Sequence, residues 1–204
     1  MANLVSILRI FIALFAVYLL FLHSASAYFV ALFLTIIAFA MDGLDGYLAR
    51  KLHEESELGA VLDIMGDRIV ENAYWITFAV LGFLAGDNLA LNAFFPIVCI
   101  TRAFSVDSIR SVALSKGFTA FGEKTMQTSK IGKFICASRF MRIFYAVAKV
   151  LAFVVIIFAN TPGFHVYSWY PYVSMAGIIL AWIALFLCVI RGIPVLAEAK
   201  EILK

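Results

Sequence analysis

The sequence predicts an all-α integral membrane protein with six transmembrane helices and both termini in the cytoplasm. Three observations carry that prediction. The 204-residue chain is 64% hydrophobic with a mean hydropathy of +1.00, whereas soluble domains are nearer half apolar. Its apolar residues gather into six segments, each close to the ~20 residues that span a bilayer. Its basic residues avoid three of the connections between those segments and occupy the others.

The segments run near 5–22, 27–49, 58–85, 89–114, 134–160 and 168–191. Helix is the expected spanning structure, because each segment must satisfy its own backbone in lipid. No period-2 alternation of the kind a membrane barrel needs is present. The first segment has no small-residue cleavage site, so it is expected to stay as a helix rather than leave as a signal peptide. The second and third carry acidic residues, taken up below. The fourth contains Pro96 near its start, where a proline is tolerated or bends the helix. The fifth ends at Thr161-Pro162-Gly163, since neither Pro nor Gly continues a helix well. After the sixth, Ile193, Val195, Leu196, Ile202 and Leu203 give the tail either an amphipathic surface helix or a frayed end.

The connections near His23–Ala27, near Asp87 and at Asn160–Tyr167 hold no Lys or Arg. All sixteen basic residues lie elsewhere. By the positive-inside rule, both termini and the two longer loops face the cytoplasm. The expected location is therefore the cell (inner or plasma) membrane, multi-pass, as one domain over residues 1–204. A net charge of +3 is too small to argue for nucleic acid. Cys99, Cys136 and Cys188 are odd in number, far apart and set in apolar segments. That is a poor disulfide framework with no metal-ligand spacing, so they read as small core hydrophobes.

Four aspartates stand inside this apolar chain: Asp42, Asp45, Asp63 and Asp67. A carboxylate at bilayer depth costs about 3 kcal/mol or more, so four in close succession point to a function. Asp42 and Asp45 are i, i+3 and Asp63 and Asp67 are i, i+4, so each pair shares one helix face. Two helices turning these faces together make a cage of hard oxygen ligands, suited to one or two divalent cations. Acidic residues in membrane helices also serve ion-binding and transport proteins, which is the competing class. Glu71, one turn beyond Asp67, is expected to form a structural ion pair with a buried Arg or Lys such as Lys149. Glu54, Glu55, Glu57 and His53 read as a solvated loop.

The full pattern is Asp42-x2-Asp45-Gly46-x2-Ala49-Arg50-x8-Gly59-x3-Asp63-x3-Asp67. It resembles the signature of the CDP-alcohol phosphotransferases (CDP-alcohol phosphatidyltransferases), with all eight motif positions present. The resemblance implies transfer of the phosphatidyl group of CDP-diacylglycerol to an alcohol, with Mg²⁺ or Mn²⁺, two ions, as cofactor. It implies metal ligation by Asp42, Asp45, Asp63 and Asp67, with Asp67 also the catalytic base toward the acceptor hydroxyl. It implies that Gly46, Ala49, Arg50 and Gly59 bind the CDP-lipid. The physical chemistry agrees. A pyrophosphate needs charge neutralisation, which bridged metals supply. Glycines without a Cβ admit close approach, and an arginine fork suits phosphate. The family further implies a homodimer embedded in membrane lipid.

The acceptor should be read from a second basic region: Arg102, Arg110, Lys116, Lys124, Lys130, Lys133, Arg139 and Arg142, opposed by Asp107 and Glu123. Such charge across from a carboxylate site suits an alcohol that carries its own phosphate. For Lys116 and Lys124, in a loop with Gly117 and Gly122, a topological or lipid-headgroup role is the better reading. Arg102, Arg110, Lys130 and Lys133 are the candidates for binding the acceptor phosphate. Thr101-Arg102, Ser108-Ile109-Arg110 and Ser129-Lys130-Ile131-Gly132-Lys133 are similar to the bacterial phosphatidylglycerophosphate synthases within that family, as is the start Asn3-x2-Ser6-x2-Arg9. That similarity implies glycerol 3-phosphate as acceptor. The usual proline near Asn3 is absent, and Phe134-Ile135 follow Lys133 where Lys-Thr is usual. Inositol phosphate, inositol, serine or another alcohol are the alternatives.

Overall fold

The computed structural model describes residues 2–51, 57–117, 127 and 129–200, with side chains described for all of these except 2, 3, 44–51, 57, 58, 60 and 137. The chain is helical, with no strand among the described residues. Helix α1 is Ala2–Leu20, α2 Ala25–Lys51, α3 Glu57–Val80 and α4 Leu89–Ser115. A single turn, α5 (Lys130–Gly132), leads into a π-helix at Lys133–Ala137, followed by α6 (Arg139–Ala159) and α7 (Tyr170–Ala197). Among the described residues, four stretches are long and apolar enough to cross a membrane: Ala25–Gly43, Leu89–Ser115, Arg139–Ala159 and Tyr170–Ala197. Helix α1 contributes a shorter apolar stretch, Leu4–Leu20. Helix α3 is long enough, but Asp63, Asp67, Arg68 and Glu71 interrupt its apolar character.

The six long helices close into a ring. Helix α1 packs on α2 and α3, α2 on α6, α6 on α7, α7 on α4, and α4 on α3. Small residues allow the closest approach: Ala13, Ala16 and Ala31 are fully buried and Ala38 nearly so, as in membrane bundles where packing rather than solvent exclusion drives association. Aromatic rings fill the middle. Tyr74 stacks on Phe153 at 4.9 Å, Trp75 meets Phe153 edge-on at 4.9 Å, and Phe95 meets Trp182 at 4.8 Å. The Tyr74 hydroxyl and Thr35 Oγ1 share a 2.7 Å hydrogen bond, which satisfies both in the apolar interior. The outside is apolar as well. Phe11, Phe33, Phe104 and Phe186, on four different helices, are each more than 60% exposed. Water would penalise such a surface, whereas lipid tails match it.

Local chemistry sets the ends of the elements. Helix α3 stops at Val80 rather than near residue 85, because Gly82 takes φ +70° and Gly86 φ +55° in a tight turn. A Cβ on Gly82 would lie 3.0 Å from the Gly86 carbonyl. Asn92 ties that turn to α4: its Oδ1 accepts from the amides of Leu84 and Ala85, and its Nδ2 donates to the Gly86 and Asn88 carbonyls. The fifth apolar segment is not one helix from residue 134. Ser138, extended at ψ 140°, caps α6 by accepting from the Met141 amide, so the π-helix and α6 are separate pieces. Beyond Ala159 the chain turns at Gly163, φ +92°. The tail does not fray at residue 191. Helix α7 continues through Pro194 to Ala197, and Val195 is fully buried against Val106, Ala113 and Cys136. Ile202 and Leu203 lie outside the described residues.

Candidate active site

The site forms where the C-terminal part of α2 faces the first turns of α3, with α1 beside both. Asp42, Asp63 and Asp67 each offer a carboxylate oxygen within 4.8 Å of the other two. Their side chains are 38%, 53% and 47% exposed, so the cluster is open to an approaching substrate. Three of the four expected aspartates thus converge. Asp45, Gly46, Ala49 and Arg50 follow on the last turns of α2, and their side chains lie outside the described residues. Gly59 is half-buried in the first turn of α3.

A cation from α1 stands among these carboxylates. Arg9 is 3% exposed. Its Nη1 contacts Asp42 Oδ1 and donates to Asp67 Oδ1 at 3.3 Å, and its Nη2 lies 3.7 Å from Asp63 Oδ1. A buried arginine needs such partners, since an unpaired charge at this depth is costly. Three carboxylates less one guanidinium leave two negative charges, and Arg9 Nε and Nη2 are buried without a hydrogen bond. An all-oxygen donor set with a residual charge of that size fits a hard divalent cation. Gly66 makes room for the arrangement: a Cβ there would lie 2.8 Å from Arg9 Nη2 and 3.2 Å from Ile10 Cδ1.

One turn further along α3 lies a buried ionic network. Glu71 is 4% exposed. It accepts from the Tyr145 hydroxyl through Oε1 and from Lys149 Nζ at 3.1 Å through Oε2, both on α6. The expected ion pair with Lys149 is therefore present. Arg68 lies 3.7 Å from Glu71 and reaches α4, where its Nε and Nη2 donate to the two oxygens of Asp107 at 2.6 and 3.1 Å. This two-pronged contact fixes α3 against α4. Cys99 and Cys188 come together beside Glu71, with ligand atoms within 4.8 Å of one another. Both oxygens of Glu71 are already engaged, and all three cysteines are buried free thiols, in keeping with their reading as core residues.

The basic residues divide into two groups. Arg102 and Arg110 on α4 sit close enough to Arg191 on α7 for their charges to act on one another, and Arg191 likewise feels Arg142 at the start of α6. Gly192 allows Arg102 to lie across α7: a Cβ there would meet Arg102 Cγ at 3.0 Å and Nε at 3.2 Å. The Arg191 guanidinium rests over the Tyr145 ring at 5.2 Å. Arg102 Nε and Arg191 Nε are buried and donate no hydrogen bond within the protein. Buried donors of this kind call for an acceptor, and a phosphate matches them. Lys130 and Lys133 form the second group, exposed on α5 and the π-helix. That element packs on α7, where the Cys136 thiol donates to the Arg191 carbonyl at 3.1 Å. Arg139 and Lys116 are exposed, while Lys124 and Glu123 lie outside the described residues.

The family model of the CDP-alcohol phosphatidyltransferases matches residues 1–190. The chain belongs to that family. Among named relatives, a CDP-diacylglycerol–glycerol-3-phosphate 3-phosphatidyltransferase of Bacillus subtilis is 29% identical over 171 residues, 84% of this chain and 74% of the relative. A protein of the same name from Pseudomonas fluorescens is 35% identical over 68 residues, 33% of this chain and 35% of the relative. A CDP-diacylglycerol–inositol 3-phosphatidyltransferase of Schizosaccharomyces pombe is 35% identical over 66 residues, 32% of this chain and 26% of the relative. This CDP-alcohol phosphatidyltransferase thus resembles enzymes with different acceptors.

Several residues of this candidate site are not singled out by sequence reasoning. Arg9 entered only as part of the N-terminal pattern; an arginine inside an apolar helix is the signal that pairs it with the aspartates. Arg142 belongs to the basic region without a role of its own, and Arg191 belongs to none of the motifs. Arg191 was the harder to find, since a cation closing the last helix reads first as a topological marker.

Proposed function

We propose that this chain transfers the phosphatidyl group of CDP-diacylglycerol to glycerol 3-phosphate, forming phosphatidylglycerophosphate and CMP. The observation that carries the reading is the convergence of Asp42, Asp63 and Asp67 from two helices, at motif positions of the family. In this reading Asp67 accepts the proton of the acceptor hydroxyl as its oxygen attacks the phosphatidyl phosphorus, and the bond to the CMP oxygen breaks. Asp42, Asp45, Asp63 and Asp67 would hold Mg²⁺ or Mn²⁺, two ions, which neutralise pyrophosphate charge and polarise the phosphorus. Gly46, Ala49, Arg50 and Gly59 seat the CDP group. Arg102, Arg110, Lys130 and Lys133, with Arg142 and Arg191, receive the acceptor phosphate.

The membrane arrangement in this reading has six spans, including the charged α3, with both termini and the site at the cytoplasmic face of the cell membrane. Its support is the absence of Lys and Arg from the turns at 21–24, 81–88 and 160–169. The acyl chains of the donor stay in the bilayer. Residues 1–204 act as one catalytic domain, and two copies form a homodimer, which cross-linking in native membranes checks.

The deciding experiment supplies purified protein with CDP-diacylglycerol, Mg²⁺ or Mn²⁺ and, one at a time, glycerol 3-phosphate, inositol 3-phosphate, inositol and serine. CMP release driven by glycerol 3-phosphate and stopped by EDTA is the expected result. Release driven by another acceptor replaces the alcohol and leaves the reaction class standing. Metal-dependent ion flux with no CMP assigns the aspartates to transport. A finer test uses Gly192→Ala, which pushes a Cβ against Arg102. It should raise the acceptor KM by roughly five- to tenfold, the scale of one weakened charge-assisted hydrogen bond. The donor KM should stay unchanged.

A further inference from the structure

Ser129 and Glu198 lie 69 positions apart and meet directly: Ser129 Oγ donates to Glu198 Oε1 at 2.5 Å. The same Oγ accepts from the Gly132 amide at 3.0 Å, capping α5. The hydroxyl is therefore fixed in both senses, its proton spent on Glu198 and a lone pair on the turn. Gly132 is buried beneath this junction. A Cβ there would lie 2.7 Å from Ser129 Oγ, 2.8 Å from Glu198 Oε1 and 3.4 Å from Gln127 Cγ. Glu198 is also the residue at which α7 ends. One helical stretch thus bears Arg191 and, two turns later, the carboxylate that grips the Lys130–Lys133 turn. The Cys136–Arg191 contact makes a second tie between the same two pieces.

We propose that Glu198 is a positioning residue for the acceptor. It acts through Ser129 to hold the α5 turn, and with it Lys130 and Lys133, at a set place relative to Arg191. The three-residue turn α5 and the five-residue π-helix that continues it are too short to hold their own shape in water, and Lys130 and Lys133 are exposed on them. Their orientation must come from what they pack on, and the Glu198–Ser129–Gly132 chain is that support. The carboxylate acts on the acceptor through the placement of the basic turn, by way of Ser129. The inference rests on the reading that this turn receives the acceptor phosphate.

The experiment compares Glu198→Ala, Glu198→Gln, Ser129→Ala and Lys133→Ala in the full-length protein. It measures the KM for acceptor and for donor, kcat, and amide hydrogen exchange over residues 129–133. Glu198→Ala and Ser129→Ala should raise the acceptor KM about tenfold, the effect of losing one charge-assisted hydrogen bond. They should leave the donor KM in place and speed exchange in the turn. Glu198→Gln keeps an acceptor oxygen for Ser129 and should restore both the acceptor KM and the slow exchange. A merely structural role predicts instead that both KM values and kcat move together with folded yield, and that result overturns the proposal. An unchanged acceptor KM in Glu198→Ala and Ser129→Ala overturns it as well. If Lys133→Ala raises the acceptor KM in that case, only the positioning role falls. If Lys133→Ala is also silent, the assignment of this turn to the acceptor falls with it.

Discussion

Asp67→Asn should reduce CMP release by about three orders of magnitude or more, the scale expected for removing a general base, while the protein still folds. Asparagine keeps the shape of the side chain and can still face Arg9, which donates to Asp67 at 3.3 Å. What it loses is the ability to take a proton. Asp42→Asn is the control. Asp42 belongs to the same cluster and contacts the same arginine, but in the proposed mechanism it only ligates. Its loss should raise the Mn²⁺ concentration needed for half-maximal rate, with much of kcat returning at saturating metal. Asp67→Asn should not recover at any metal concentration. Rate measured against Mn²⁺ separates the two, with size exclusion and thermal melting in detergent confirming the fold. Full metal rescue of Asp67→Asn removes the base assignment and leaves Asp67 as a ligand alone.

The largest effect on stability is expected at Lys149. Its ammonium is one of three partners of the Glu71 carboxylate, which is 4% exposed. Lys149→Met keeps the length of the side chain and removes the charge. The buried carboxylate is then left with the Tyr145 hydroxyl and the more distant Arg68, 3.7 Å away, and losing its closest cation costs about 3 kcal/mol. For a chain of this size that is a fall in Tm on the order of 10 °C. The double variant Lys149→Met, Glu71→Gln should recover a large part of the loss, because neither charge is then left without its counterpart. Arg68 stays tied to Asp107 in both variants and holds α3 against α4. Thermal unfolding in a fixed detergent measures the series. A double variant as unstable as Lys149→Met alone would show that packing, rather than charge pairing, holds this junction.

Much of the site was legible in the sequence because cost leaves a mark. Aspartates at i, i+3 and i, i+4 in apolar helices are conspicuous, and their spacing fixes a shared face without reference to the rest of the fold. Glu71 and Lys149 could be paired for the same reason: two charges that cannot stay alone in an apolar interior must find each other. The aspartates were legible; the identity of their partner on α1 was not. Whether Arg9 meets them depends on how three helices close, and sequence spacing carries no record of that closure. The π-helix at Lys133–Ala137 escaped for a related reason. Its residues are as apolar as those that follow, and only the extended backbone of Ser138 separates them from α6. Arg191 was visible as a charge, but its place beside Arg102 required knowing that α4 and α7 are neighbours.

Arg9 has a consequence for biogenesis. Helix α1 carries an arginine that ends 3% exposed, and an arginine at the centre of a membrane-spanning helix opposes insertion by about 3 kcal/mol. In the six-span arrangement proposed above, that side chain must stretch back to the headgroups while α1 is alone. It can withdraw only when α2 delivers Asp42 and α3 delivers Asp63 and Asp67. The carboxylates proposed for chemistry therefore also let α1 settle, so variants that neutralise several of them at once should accumulate to lower levels in the membrane than single variants, as immunoblotting of membrane fractions would show.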